Sequence, residues 1–216
     1  MGPLHDIKVL DLSRILAGPW ATQCLADFGA TVWKVEKPGA GDDTRHWGPP
    51  WVRDAKGADT GEAAYYASAN RGKQSLAIDF TKPAGQQLIR GLAMRADVFI
   101  ENFRVGTLAK HRLGWSSLRG VNPKLVYCSI SGFGADGPYS ERPSYDSVAQ
   151  ALSGFLSVVV DPERPRFSGG YAVSAAPDSV LRLVSFNIQF AREIDAAIAL
   201  LDAEAKRRRG AHAPPP

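Results

Sequence analysis

IKVLDLSRILAGPWATQCLADFGATVWKVE, residues 7–36, decides the fold class. Ile7 to Leu12 is a short apolar run and reads as a buried strand. The segment GPWATQCLADFG follows, with Pro19 suited to a helix start and Gly29 to its end. Thr31 to Glu36 is a second apolar run. Strand, helix and strand within thirty residues form a βαβ unit, and such a unit makes its two strands parallel.

The pattern continues outward from this unit. SLAIDF (75–80) predicts a third strand, and KPAGQQLIRGLAMRA a helix with Leu88, Leu92 and Met94 inward. DVFIEN (97–102) and KLVYCSIS (124–131) predict further strands, with two short helices in RVGTLAKHRLGWSSLRGVNP between them. Residues 37 to 61 are rich in Gly, Pro and Asp and read as one long loop. NRGK (70–73) reads as a turn before a strand. Alternating strands and helices predict an α/β fold with a mostly parallel, Rossmann-like sheet and flanking helices. The composition shifts near Val160. Residues 158–179 read as a linker, 180–205 as a strand and helix with Ile194, Ile198 and Leu201 on one face, and 206–216 as a disordered tail.

Composition bounds the function. Hydrophobic residues make up 44% and charged residues 22% of the 216, ordinary values for a globular protein. The net charge of +4 suits an anionic ligand and does not point to nucleic acid. Cys24 and Cys128 read as reduced thiols rather than a disulfide framework. The start has no apolar signal region, and no run is long enough to span a membrane; a cytoplasmic protein is expected. The basic run Lys206 to Arg209 reads as a solvated helix end. His5, His46, His111 and His212 lack metal-ligand spacing, so no metal is expected.

Open α/β sheets bind ligands at the carboxyl ends of their strands. Arg14 and Ala17 follow the first strand, Lys37 the second, and Glu101 to Arg104 a later one. Lys37, Arg45, Arg71, Lys73, Arg104 and Lys110 could edge one crevice there, which would suit a phosphorylated ligand. GAGDD (39–43) has two acids that repel phosphate and is no P-loop. No GxSxG elbow or Ser/His/Asp arrangement is legible. Asp146 opens an apolar helical pattern in RPSYDSVAQALSG. Ser144 or Asp146 can cap that helix, or Asp146 can favour its positive end. A carboxylate at a helix start, after a glycine-rich loop, can also be a nucleophile toward an acyl group.

Taken together, five segments in order and in register over about residues 4 to 157 resemble the family III CoA transferases. They are IKVLDLSRILAGPWATQCLADFGATVWKVEKPGAGDDTR, ASANRGKQSLAIDF, ADVFIENFRVGTLAKHRLGW, NPKLVYCSISGFGADGPYS and ERPSYDSVAQALSG. That family includes formyl-CoA transferase, carnitine CoA transferases and succinate-dependent dicarboxylate CoA transferases. The resemblance implies an enzyme that moves CoA from an acyl-CoA donor to a free carboxylic acid, with CoA as substrate and no tightly bound cofactor. It marks Asp146, beside Tyr145 and Gln150, as the nucleophile. It places Ala17, Lys37, Asn70, Lys73, Asn102, Phe103 and Arg104 at the CoA site. Arg14 and Leu16 stand where some members carry other polar residues, so the acyl substrate stays open.

Members of the family continue well past the aspartate helix, through a glycine-rich loop and a smaller domain, and form interlocked homodimers. The expectation is therefore an N-terminal part, truncated and impaired in transfer. The alternatives are an inactive CoA-binding remnant and the product of a gene rearrangement. LRLVSFNIQFAREIDAAIALLDA, by contrast, resembles the opening of endonuclease/exonuclease/phosphatase-family proteins, which would make Asn187 an active-site asparagine. A nuclease-related function rests on that segment alone.

Overall fold

The structure is a computed structural model that describes residues 2–153 and 187–188. Its strands are β1 (Lys8–Asp11), β2 (Thr31–Glu36), β3 (Trp51–Arg53), β4 (Asp59–Ala63), β5 (Gln74–Ala77), β6 (Val98–Glu101), β7 (Val126–Ser131) and β8 (Asn187–Ile188). Its helices are α1 (Ala17–Asp27), α2 (Ala64–Asn70), α3 (Pro83–Ala93), α4 (Thr107–Lys110), α5 (Trp115–Val121) and α6 (Asp146–Leu152), with a 3₁₀ turn at Asp43–His46. The main sheet runs in the order β5-β2-β1-β6-β7-β8. Its first five strands are parallel, and β8 is antiparallel to β7 through Ser131 opposite Asn187.

Strand parity explains the two cores. Leu10 in β1 and Leu12 just beyond it turn to one face, where they meet Val35, Ile89, Ala93, Phe99, Leu108, Leu113, Leu118 and Leu125 under α3, α4 and α5. Val9 turns to the other face, with Val32, Ile100, Cys128 and Ile130 under α1. A sheet covered on both faces favours apolar residues along both sides of its inner strands, which is why β1, β2 and β6 read as largely apolar runs, with charges toward their carboxyl ends. The strand order reverses direction between β1 and β6, the position at the carboxyl edge where open sheets of this kind bind ligands.

Three expectations need correction. Residues 37 to 61 are not one structureless loop. They hold the 3₁₀ turn and the antiparallel β3–β4 hairpin, whose turn is closed by Asp54 accepting from the Lys56 and Ala58 amides (2.8 and 2.9 Å). NRGK is only in part a turn, because Asn70 is the last residue of α2. Leu88 in α3 and Met94 just after it point outward, at 60% and 62% exposure, while Ile89 and Ala93 are fully buried. The buried Gly85, Ile89 and Ala93 lie four residues apart and define the inner stripe. Leu92 lies beside that stripe and packs partly against the core, as expected. Of the predicted 158–179, 180–205 and 206–216 segments, only Asn187 and Ile188 lie within the described residues.

Candidate active site at the carboxyl edge of the sheet

Asp11, Lys34 and Glu36 occupy the last inward positions of β1 and β2 on the α1 face. Three charged side chains at buried strand positions must find partners, since an unpaired buried charge is very costly. Asp11 accepts from the Ser13 amide (2.9 Å), the Ser13 and Thr22 hydroxyls and Lys73 Nζ (3.2 Å). Lys34 Nζ donates to the Ser13 carbonyl (2.9 Å) and pairs with Asp42 Oδ2 at 3.1 Å, with the two side chains 1% and 0% exposed. Glu36 receives Arg45 through both of its carboxylate oxygens (2.7 and 2.8 Å), together with the Tyr66 and Ser75 hydroxyls.

These contacts set the protonation states. Burial pushes Glu36 up, but hydrogen bonds from Arg45, Ser75, Tyr66 and the Asp42 amide outweigh it and hold the carboxyl at about 2. Burial lowers Lys73 to about 8, with the Asp11 carboxylate opposing the shift. Burial raises Glu101 above the usual carboxylate range, against hydrogen bonds from the Ser129 hydroxyl and the Phe103 amide. Cys128, buried beneath the same edge and near Glu101, is raised to about 12 and is an inert thiol.

The residues singled out in the sequence fall into different settings. Asn102 ties the loop after β6 to the loop after β1: its Oδ1 accepts from the Arg14 amide (2.7 Å) and its Nδ2 donates to the Arg14 carbonyl (2.8 Å). Phe103 stands edge-on to Phe80, with ring centroids 5.3 Å apart. Ala17 opens α1, and Gly18 approaches Ser13 so closely that a Cβ there would lie 2.2 Å from Ser13 Cβ. Lys37 is exposed and borders an open depression of about 400 Å³ with Gly39, His46, Gly61 and Ser75. Arg104 and Lys110 are exposed as well.

Lys73 does not edge the crevice as a free cation. Its side chain is 2% exposed, and its ammonium is engaged by Asp11, the Pro19 carbonyl (2.7 Å) and Asn70 Oδ1 (3.0 Å). Arg45 is held by Glu36, and Arg71 pairs with Asp27. Burial of Asp11 and Glu36 at strand ends recruits Lys73 and Arg45 inward, whereas Arg71 stays exposed in its pair with Asp27. Sequence reasoning missed the network itself, although an acid or lysine at alternate positions of KVLD and TVWKVE was the available signal.

Asp146 is the first residue of α6 and is exposed; Gln150, one turn on, donates to its carboxylate. The loop before it folds back on the end of β7, where a Cβ on Gly132 would lie 2.0 Å from Ser144 Cβ. Only glycine permits that approach, and it brings the start of α6 to the carboxyl edge of the sheet. The described contacts of Asp146 do not include any of the seven residues assigned to CoA.

A family model described as CoA-transferase family III matches residues 4–185. The chain belongs to that family. The match extends past residue 157 through all of 158–179, which reads as a linker, and into the first residues of 180–205. A succinate–glutarate CoA-transferase of Agrobacterium fabrum is 52% identical over 172 residues, covering 80% of this chain and 43% of the relative. A human succinyl-CoA:glutarate CoA-transferase is 47% identical over 167 residues, covering 76% of this chain and 36% of the relative. A CaiB/BaiF family protein from Brucella suis has a similar solved structure, with a TM-score of 0.72 and 48% identity, covering 78% of this chain and 44% of that one. The family III chain thus spans about two fifths of the length of such relatives. Among its described residues, no helix is long and apolar enough to cross a membrane.

Proposed function

We propose that this family III chain takes part in moving CoA from an acyl-CoA donor to a free carboxylate, with Asp146 as the nucleophile and a short dicarboxylate among its acids. The observation that carries the reading is the Tyr145–Asp146–Gln150 segment, seated by the Gly132–Ser144 contact at the ligand-binding edge of a CoA-transferase fold. The dicarboxylate is suggested by relatives named for succinate and glutarate.

In the proposed reaction, the Asp146 carboxylate attacks the thioester carbonyl. The C–S bond breaks, and an acyl–aspartyl anhydride and CoA thiolate form. The thiolate then attacks the aspartyl carbonyl, releasing the donor acid and leaving an aspartyl–CoA thioester. The acceptor carboxylate attacks that thioester, its C–S bond breaks, and a second anhydride and CoA thiolate form; the thiolate then attacks the acceptor's acyl carbonyl, giving the new acyl-CoA and freeing the Asp146 carboxylate. No net proton is consumed. A carboxylate suits this cycle because its acylated form remains reactive enough to pass the group on. The Gln150 amide keeps the attacking oxygen oriented.

CoA is a substrate here and not a resident cofactor. Its phosphates pair with the exposed Lys37 and Arg104, while Asn70, Asn102 and Phe103 shape the site. Lys73 contributes through Asp11 and Asn70, by supporting the edge from below. A cytoplasmic setting in acyl-CoA metabolism goes with this reading.

Two measurements test it. Thioester exchange is followed with isotope-labelled succinate or glutarate and a panel of acyl-CoAs. Calorimetry compares CoA with dephospho-CoA and pantetheine. Weak, Asp146-dependent entry of label into CoA thioesters, slower than hydrolysis, and affinity that falls as phosphates are removed, are expected. Equal affinity for CoA and pantetheine would remove the phosphate assignment. CoA binding without exchange, under conditions where Asp146 is intact, would leave a binding module in place of a transferase.

A further inference from the structure

The backbone between β1 and α1 is bound by side chains from other elements. Ser13 N donates to Asp11 (2.9 Å), and Ser13 O accepts from Lys34 Nζ (2.9 Å). Both Arg14 backbone groups are held by Asn102 (2.7 and 2.8 Å). Ile15 N donates to the two oxygens of Asp42 (3.2 and 3.4 Å). The consecutive groups from the Ser13 amide to the Ile15 amide therefore stay outside the regular ladders, yet each is satisfied.

Ile15 has φ of 69°. A β-branched residue in the left-handed region is a genuine outlier, because its Cβ crowds the following carbonyl. Something must hold it there, and Asp42 is the acceptor of its amide. Asp42 is itself fixed from three sides. Lys34 pairs with it at 3.1 Å, Glu36 accepts from its amide (2.8 Å), and its own carboxylate caps the amide and hydroxyl of Thr44 (3.0 and 2.8 Å). Leu16 comes next and Ala17 opens α1, so the conformation of Ile15 sets where the first turn of α1 meets the carboxyl edge of the sheet.

We propose that Asp42, backed by Lys34, is a positioning residue: it holds Ile15 in the left-handed conformation and thereby sets the start of α1, including Ala17, for ligand binding. The identity of that ligand as CoA rests on the function proposed above; the clamp itself does not.

The test uses the full 216-residue chain as Asp42→Asn, Ile15→Gly and the double variant, with thermal unfolding as the check on folding. Amide hydrogen exchange reads the peptide spanning residues 13–17, and calorimetry reads CoA. Asp42→Asn is expected to speed exchange in that peptide about tenfold, with protection in β1, β2 and β6 retained, and to weaken CoA about tenfold. Glycine takes the left-handed region without steric cost, so the double variant is expected to bind CoA within about threefold of Ile15→Gly alone. Unchanged exchange at residues 13–17 would overturn the proposal. Lost affinity that the double variant does not recover would also overturn it, since Asp42 would then act only as a partner for Lys34. If the unmodified chain does not bind CoA, the transferase reading falls, and the exchange pattern alone decides the clamp. If Asp42→Asn does not fold, the double variant decides: the proposal expects it to fold, and its unfolding beside a folded Ile15→Gly overturns it.

Discussion

The β1–β2 edge and the α6 start lie at the same end of the sheet and are built in opposite ways. At the first, Asp11, Lys34, Glu36 and Asp42 are buried, and each carries two or more hydrogen bonds or ion pairs. At the second, Asp146 is exposed with Gln150 as its partner, and Tyr145 and Leu152 are 71% and 62% exposed. The edge proposed to recognise CoA is thus self-supporting within the described residues, whereas the proposed nucleophile is open to water there. A mixed anhydride at Asp146 survives only if water is kept from it. Groups beyond the described residues must supply that cover for transfer to outrun hydrolysis.

The largest expected effect falls on the open side. Asp146→Ala should lower thioester exchange by about 10³-fold or more, and remove any acyl-CoA hydrolysis that depends on it. Affinity for CoA and the melting temperature should change little. Robust, Asp146-dependent transfer by the purified chain alone would break the comparison, because the open site would then need no further cover.

On the buried side the effects are on stability. Lys34→Met leaves the Asp42 carboxylate buried without its cation, and should cost about 3–5 kcal/mol in urea unfolding. A Tyr145→Ala change on the open side should stay within about 0.5 kcal/mol. Equal losses at the two positions would erase the distinction.

The acid limb sharpens it further. Glu36 sits at about 2 in the folded chain against an ordinary 4.5. A depressed carboxyl stabilises the fold fully above its unfolded value and loses that contribution as pH falls from about 4.5 toward 2. The shift corresponds to about 3 kcal/mol. Glu36→Gln should flatten this limb of the stability profile. Lys73, lowered to about 8 from 10.5, works on the other limb. Between those values the unfolded chain binds more protons, so stability should gain from this group as pH rises from about 8 to 10.5.

The smallest effect tests helix orientation. Leu88→Ala on the outer face of α3 should cost less than about 0.5 kcal/mol, while Ile89→Ala should cost about 2–5 kcal/mol through the cavity it leaves. Chemical denaturation of the pair gives the answer directly.

The fold was largely legible along the chain. The runs 7–12, 31–36, 97–102 and 124–131 hold strands β1, β2, β6 and β7 because a doubly covered sheet favours largely apolar stretches. The β3–β4 hairpin escaped notice because β3 is only three residues long and β4 is polar, although Asp54 and Gly57 carried the turn signal. Leu88 and Met94 misled because side-chain type outweighed spacing: the true inner stripe uses Gly85, Ile89 and Ala93. At the site, Asn102, Phe103, Lys37 and Arg104 do follow strand ends. The buried state of Lys73 was not legible, because it depends on Asp11, sixty-two residues away in the chain.

By itself, the sequence determined the parallel α/β class, the order of its main elements, the family resemblance and the candidate nucleophile at Asp146. Those properties are encoded in local periodicity and in motifs read residue by residue. Tertiary structure alone decided which cations face solvent, which carboxylates are buried, and that Asp42 and Asn102 hold the loop at Arg14 and Ile15. The physical reason is that charge pairing at the sheet edge joins residues from separate loops. Its outcome depends on burial and on distances of about 3 Å, and neither is written in the spacing of residues along the chain.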